Sequence, residues 1–252
     1  MRDGDTRLII NADDFGSSST VNRAVAEAFE RKLINSASLM VNRPSFLEAC
    51  VLARTLGVQN RLGVHLNMTT GAPLTMDIKA LRAFCDARGQ FNGQRQHWIC
   101  LPRSIRTAIM GEWDAQIRAC TEQGIKPTHL DTHHHVHYAW PVCGILIDLA
   151  RQHGIRAIRV HQNHGRRVNS LKRCYTAVFN RRLVRLGLAR SDIFCAAEEL
   201  LAQPLPGTVP RVELMVHPDL NSARQLMDVW SAAGRPELLV ERLRRIGVGQ
   251  GQ

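Results

Sequence analysis

Short apolar runs alternate along the chain with longer stretches in which apolar residues recur every three or four positions. The runs Leu8–Ile10, Ser38–Val41, Leu62–Leu66, Thr128–His133, Ile155–Val160 and Val212–Val216 read as strands. Between them, Thr20–Lys32 carries Val21, Ala24, Val25, Ala28 and Phe29 at helical spacing. Pro44–Leu56, Ser104–Gln123, Trp140–His153 and a stretch within Ser170–Leu188 show the same period, and further helices are expected from Ser222 and Pro236. Gly57, Gly124 and Gly154 fall where three of these helices should stop. Strands alternating with helices imply right-handed crossovers and a parallel sheet, either a barrel or a doubly wound layer. No internal repeat or long linker divides the chain, so one domain spanning residues 1–252 is expected.

Composition narrows the class. With 44% hydrophobic and 22% charged residues the chain is globular, neither disordered nor collagen-like. No apolar run approaches the ~18–20 residues of a membrane span, and the opening MRDGDTRLIINADD has no apolar core of an export signal. Seven cysteines, an odd number without a C-x-x-C pair, argue against a disulfide framework or thiolate zinc site and for a reducing, cytoplasmic setting. A net charge of +11 favours anionic partners or simply a basic surface.

Chemistry is most legible at the carboxyl ends of the expected strands, where parallel α/β folds concentrate their functional groups. Asn11-Ala12-Asp13-Asp14-Phe15-Gly16 follows the first strand, and Gly63-Val64-His65-Leu66-Asn67 ends the third. His129-Leu130-Asp131-Thr132-His133-His134-His135-Val136-His137 ends the fourth, and Glu213-Leu214-Met215-Val216-His217-Pro218 the last. Adjacent carboxylates on a strand point to opposite faces, so Asp13 and Asp14 can have different tasks, or one of them caps the following helix. In the histidine tract a strand pattern puts His129, Asp131 and His133 on one face and Leu130 and Thr132 on the other. Imidazole and carboxylate suit Zn²⁺ and related ions, and a catalytic ion needs three protein ligands and an open position. His65 and His217 alone would each read as a structural histidine; they gain weight from their places at further strand ends.

The set NADDFG, GVHLN followed by TTGAPL, PTHLDTHHHVH and ELMVHP, in this order, resembles the YdjC/ChbG-like carbohydrate deacetylases from about Leu8 to Pro218. The resemblance implies an α/β fold, an irregular (β/α) barrel with mostly parallel strands, similar to NodB-type polysaccharide deacetylases. It implies metal-dependent removal of the N-acetyl group from an amino sugar or acetylated chitooligosaccharide. Carried over by motif, Asp14, His65 and His133 would be metal ligands, Asp13 the general base and His217 the general acid, with His129 in a supporting or substrate-lining position. One divalent ion is implied, Zn²⁺ or Mg²⁺ foremost, with Mn²⁺, Co²⁺ or Ni²⁺ compatible with the same ligand types.

No acidic residue lies between Asp148 and Asp192, while arginines accumulate over about 165–190. Leu171, Tyr175, Val178, Phe179 and Leu183 give that segment an amphipathic pattern: a core-facing helix with a basic back, an arm against a second subunit in a homodimer, or a wall for an anionic sugar. With 5% aromatic residues and no binding motif, nucleic acid is not an expected partner. Trp113 reads as helix core and Trp140 as a pocket-lining residue. Other readings of the site are a metal-dependent phosphoesterase or another amidohydrolase on a similar fold, and a non-catalytic metal- or polyanion-binding protein.

Overall fold

The computed structural model describes residues 7–93, 100–165, 170–203, 205 and 211–228. Strands and helices alternate along them: β1 (Arg7–Phe15), α1 (Ser19–Glu30), β2 (Ser36–Leu39), α2 (Phe46–Thr55), β3 (Leu62–Leu66), α3 (Met76–Lys79), α4 (Arg103–Glu122), β4 (Leu130–Thr132), α5 (Trp140–Gln152), α6 (Ser170–Arg185), β5 (Ile193–Ala196), α7 (Ala197–Ala202), β6 (Arg211–Val216), β7 (Pro218–Leu220) and β8 (Leu226–Asp228). The chain is an α/β protein, as its periodicity implies. Its residues group into two compact units, one of Met1–Asp13, Thr20–Ala37 and Ala157–Gln252, the other of Asp14–Ser19 and Ser38–Arg156.

In the first unit β6 pairs in parallel with both β1 and β5, with Leu8 opposite Val212 and Cys195 opposite Leu214. Leu8, Ile10, Ala12, Val212, Leu214 and Val216, every second residue of each strand, are buried on one face, and the polar Asn11, Asp13 and Glu213 between them are buried as well. α1 buries Ala24, Val25, Ala28 and Phe29, the stripe read from the sequence. α6 buries Thr176, Phe179 and Leu183, one face at helical spacing, while Arg173, Arg181 and Arg185 are exposed.

Three expectations in this unit differ from the structure. Ile155–Val160 is not a ladder strand: Ile158 makes an isolated parallel bridge with Ala189, and the side chain of Arg159 goes into the interior. The apolar run Ile193–Ala196, too short to declare itself, forms β5 instead. The helix expected from Ser222 is a turn joining the antiparallel strands β7 and β8, because Asn221 Oδ1 accepts the N–H groups of Ala223 and Gln225 and so takes donors a helix would need. Pro236 and Trp98 lie outside the described residues. Arg190 is not part of the basic helix either, which ends at Arg185; it is buried among acceptors.

In the second unit β3 and β4 run parallel, with His65 opposite Asp131 and Leu66 opposite Thr132. α4 buries Ala108, Ile109, Glu112, Trp113, Gln116, Ile117 and Cys120 along one face, so Trp113 is helix core as expected. Trp140 at the start of α5 is 43% exposed. Two polar members of the α4 face hold the segment after β3. Gln116 exchanges hydrogen bonds with the backbone N–H and carbonyl of Asn67 at 2.9 and 2.7 Å, and Glu112 accepts the N–H groups of Leu74 and Thr75.

The glycine stops are where the sequence puts them. Gly57, Gly124 and Gly154 have φ of +66°, +76° and +65°. The N–H after Gly57 reaches back to Ala53, and that after Gly154 to Ala150, satisfying carbonyls a helix end would leave bare. Among the described residues no helix is long and apolar enough to cross a membrane.

Candidate metal centre

β1 ends in a turn that only some residues tolerate. Asp14 has φ +65° and Gly16 φ +99°. A Cβ on Gly16 would lie 3.1 Å from the Met40 carbonyl oxygen and 3.3 Å from the Phe46 Cα, so the glycine is required by space as well as by φ. The Ser17 N–H donates to the Asp14 carbonyl and closes the turn, which leaves the Asp14 side chain partly exposed, at 21%.

His133 is the first residue beyond β4, which stops one residue earlier than its sequence pattern suggests. The chain leaves the strand through a 3-10 turn in which His134 and His135 both take left-handed angles. Thr132 anchors it: its hydroxyl pairs with His137 Nδ1 and accepts the His137 backbone N–H. His133 stacks on His134, with ring centroids 4.0 Å apart, and His135 on Tyr138.

These two segments and β3 bring Asp14, His65 and His133 together. Asp14 Oδ1 is 2.9 Å from His133 Nδ1 and 3.3 Å from His65 Nε2, and the two nitrogens are 3.3 Å apart. Three ligand atoms about 2.0–2.1 Å from one tetrahedral ion lie about 3.3 Å from one another, so the trio has the spacing of a shared first coordination sphere. One carboxylate oxygen and two imidazole nitrogens are also a donor set for a divalent cation. These three side chains therefore form a group that could hold a metal ion. Burial raises the Asp14 pKa, but hydrogen bonds and charge from His133 and His65 outweigh it and hold the carboxyl well below the usual carboxylate range.

Behind His65 lie Asp131, which the sequence reading placed on the polar face of its strand without a role of its own, and Ser38, which it passed over. Asp131 Oδ1 is 2.9 Å from His65 Nδ1, and Asp131 Oδ2 accepts the Ser38 hydroxyl at 2.9 Å. Both Asp131 and Ser38 are fully buried. The parallel register of β3 and β4 sets Asp131 opposite His65 and could have signalled the pair; Ser38 gave no signal beyond opening an apolar run. His129 does not line this group. Its ring packs over Gly63, 1% exposed, with Nδ1 2.9 Å from the Thr128 hydroxyl.

Asp13 and His217 belong to the first unit. The Asp13 carboxylate is gripped at both oxygens by Arg159, at 2.6 and 2.7 Å, and also accepts from Asn11. Arg159 Nε donates to Glu213, which Arg190 reaches as well, and Arg190 extends to Asn11 and Ser36. Two arginines and two acids thus neutralise one another in a buried network. Arg159 is one of two arginines in the run Ile155–Val160, and nothing in the sequence marks it rather than the exposed Arg156 as the one that turns inward. His217 follows β6, half-buried, its backbone N–H donating to Asp228 at 3.1 Å.

The class these observations define is an α/β protein in which an aspartate and two histidines converge on one small volume and could hold a metal ion. The chain belongs to the YdjC-like protein family, whose model it matches over residues 7–242. It is 38% identical over 152 residues to a carbohydrate deacetylase of Brevibacillus brevis, covering 59% of this chain and 57% of that protein. To a carbohydrate deacetylase of Halalkalibacterium halodurans it is 32% identical over 150 residues, covering 59% and 62%. The match thus spans less than two thirds of the length of these relatives. A crystal structure of an Enterococcus faecalis protein provisionally named for cellobiose-phosphate cleavage superposes with a TM-score of 0.71 over 98% of this chain and 97% of that one, at 22% identity. That likeness shows the fold.

Proposed function

We propose that the protein is a metal-dependent hydrolase that removes the N-acetyl group from an amino sugar or an acetylated chitooligosaccharide-like substrate. The spacing of Asp14 Oδ1, His65 Nε2 and His133 Nδ1 carries this reading, and the relatives named carbohydrate deacetylase support it. A divalent ion held there, Zn²⁺ or Mg²⁺, would supply a Lewis acid for the amide carbonyl and make water a usable nucleophile near pH 7. Asp14, His65 and His133 would hold it from one side and leave the other open to water and substrate. Asp13, by its place in the motif, would take the proton from water. His217 would return a proton to the departing amine. Proton transfer by each is worth about 10²–10⁴ in rate. The seven free cysteines fit a reducing, cytoplasmic compartment.

The test is acetate release from N-acetylated chitooligosaccharides by the metal-free and the metal-loaded protein. Release should vanish with a chelator, return with Zn²⁺ or Mg²⁺, and be absent from Asp14→Ala. A loaded protein that releases phosphate from an aryl phosphate and no acetate from any acetylated amino sugar would overturn the reading.

A further inference from the structure

We infer that Asp131 is a positioning residue for the metal centre: it holds His65 in the tautomer that carries its proton on Nδ1 and turns the Nε2 lone pair to the position shared with Asp14 and His133. The inference rests on reading that trio as a cation site and adds the group that orients one of its ligands.

An ionised carboxylate can only accept hydrogen bonds. Asp131 Oδ1 lies 2.9 Å from His65 Nδ1, so this nitrogen is the donor. A neutral imidazole has one N–H; placed on Nδ1, it leaves Nε2 as the acceptor. Nε2 is the atom 3.3 Å from both Asp14 Oδ1 and His133 Nδ1. The opposite tautomer would set an Nδ1 lone pair against a carboxylate oxygen in the interior and put a hydrogen where a cation must bind. Nor is Asp131 itself free to turn away, since Ser38 donates to its second oxygen at 2.9 Å. Strand pairing sets the separation: His65 on β3 and Asp131 on β4 are register partners. Partners of this type, which fix the tautomer and ring plane of a metal-bound histidine, are worth about 10–100-fold in metal affinity.

Two measurements on the full-length protein test this. In the Zn²⁺-loaded protein, long-range ¹H–¹⁵N correlation spectra should show His65 with its proton on Nδ1 and none on Nε2. Competition of Zn²⁺ against a chromophoric chelator should then show a 10–100-fold weaker site in Asp131→Ala. Asp131→Asn, which keeps the shape and a neutral acceptor, should lose less, and Ser38→Ala should fall between parent and Asp131→Ala. Should Asp131→Ala fail to fold, the other two variants carry the comparison. A Zn²⁺-loaded parent in which His65 carries its proton on Nε2 and not on Nδ1, or Asp131 and Ser38 variants that bind Zn²⁺ within twofold of the parent, would overturn the role of Asp131 alone. A parent that binds no Zn²⁺, or binds it equally well after Asp14→Ala, would instead remove the cation site, and this inference with it.

Discussion

Gly63 offers a sharp test of how tightly the second unit is built around β3. A Cβ at this position would fall 2.4 Å from His129 Cε1 and 2.5 Å from both of its ring nitrogens. Those separations are over an ångström inside ordinary contact, and the ring has little room to retreat, being 1% exposed and tied at Nδ1 to Thr128. Gly63→Ala must therefore push the His129 ring or bend the strand, an overpacking cost of about 1–3 kcal/mol. For a chain of this size that lowers Tm by about 2–4 °C per kcal/mol. Urea unfolding of the parent, Gly63→Ala, His129→Ala and the double variant closes a cycle. Removing the ring relieves the clash, so the double variant should be more stable than the sum of the single losses predicts, by at least about 1 kcal/mol. Additive losses, or a Gly63→Ala protein within about 0.3 kcal/mol of the parent, would refute the account of Gly63 as space reserved for an imidazole.

Arg159→Met leaves Asp13 without its guanidinium and Glu213 with Arg190 alone. The loss expected from stranding buried carboxylates is about 3–5 kcal/mol in urea unfolding; a loss under 1 kcal/mol would show the network to be dispensable. Lys32 holds the left-handed C-cap of α1 with φ +55°, where the Leu33 N–H reaches the Ala28 carbonyl at 2.8 Å. Lys32→Gly should therefore raise stability by about 1 kcal/mol, and a lower Tm would count against the cap. Of the seven cysteines, Cys100 and Cys174 are exposed. Burial pushes the Cys50 thiol up to about 11 and raises Cys85, Cys120 and Cys195 as well. A thiol reagent at pH 8 should modify two groups quickly and the rest only on unfolding; four fast groups would contradict the packing.

Much of the α/β plan was open to inspection in the sequence because burial leaves a period. The α1 stripe Ala24, Val25, Ala28 and Phe29 is visible without coordinates, and β3 begins and ends at the residues its apolar run suggests. Gly57, Gly124 and Gly154 mark helix ends because a left-handed residue is cheapest when it is glycine. Periodicity failed where a local hydrogen bond or a buried charge decided the outcome. Asn221 turned an expected helix into a hairpin turn, and Ile155–Val160 lost its strand character around an inward-facing Arg159. Neither effect has a repeat for a pattern to detect.

The candidate site was legible to the extent that its residue types are uncommon in a core. Asp14, His65 and His133 stand out at strand ends; Asp131 shows only as part of the polar face of its strand until register sets it opposite His65, and Ser38, which bonds Asp131 from behind, looks like any strand residue. The backbone supplies an independent argument for the same place. Of the five non-glycine residues with positive φ among those described, three are Asp14, His134 and His135, all in the two segments that carry Asp14 and His133 of the candidate site. A left-handed residue other than glycine costs about 1–2 kcal/mol, and glycine at any of the three would avoid it. At Asp14 the strained residue is itself one of the three candidate ligands. At His134 and His135 the strain bends the chain out of β4 just past His133, and the imidazoles stack on His133 and Tyr138 in return. Strained backbone of this type clusters where function sets the conformation, and here three of the five strained residues lie beside or within the candidate site.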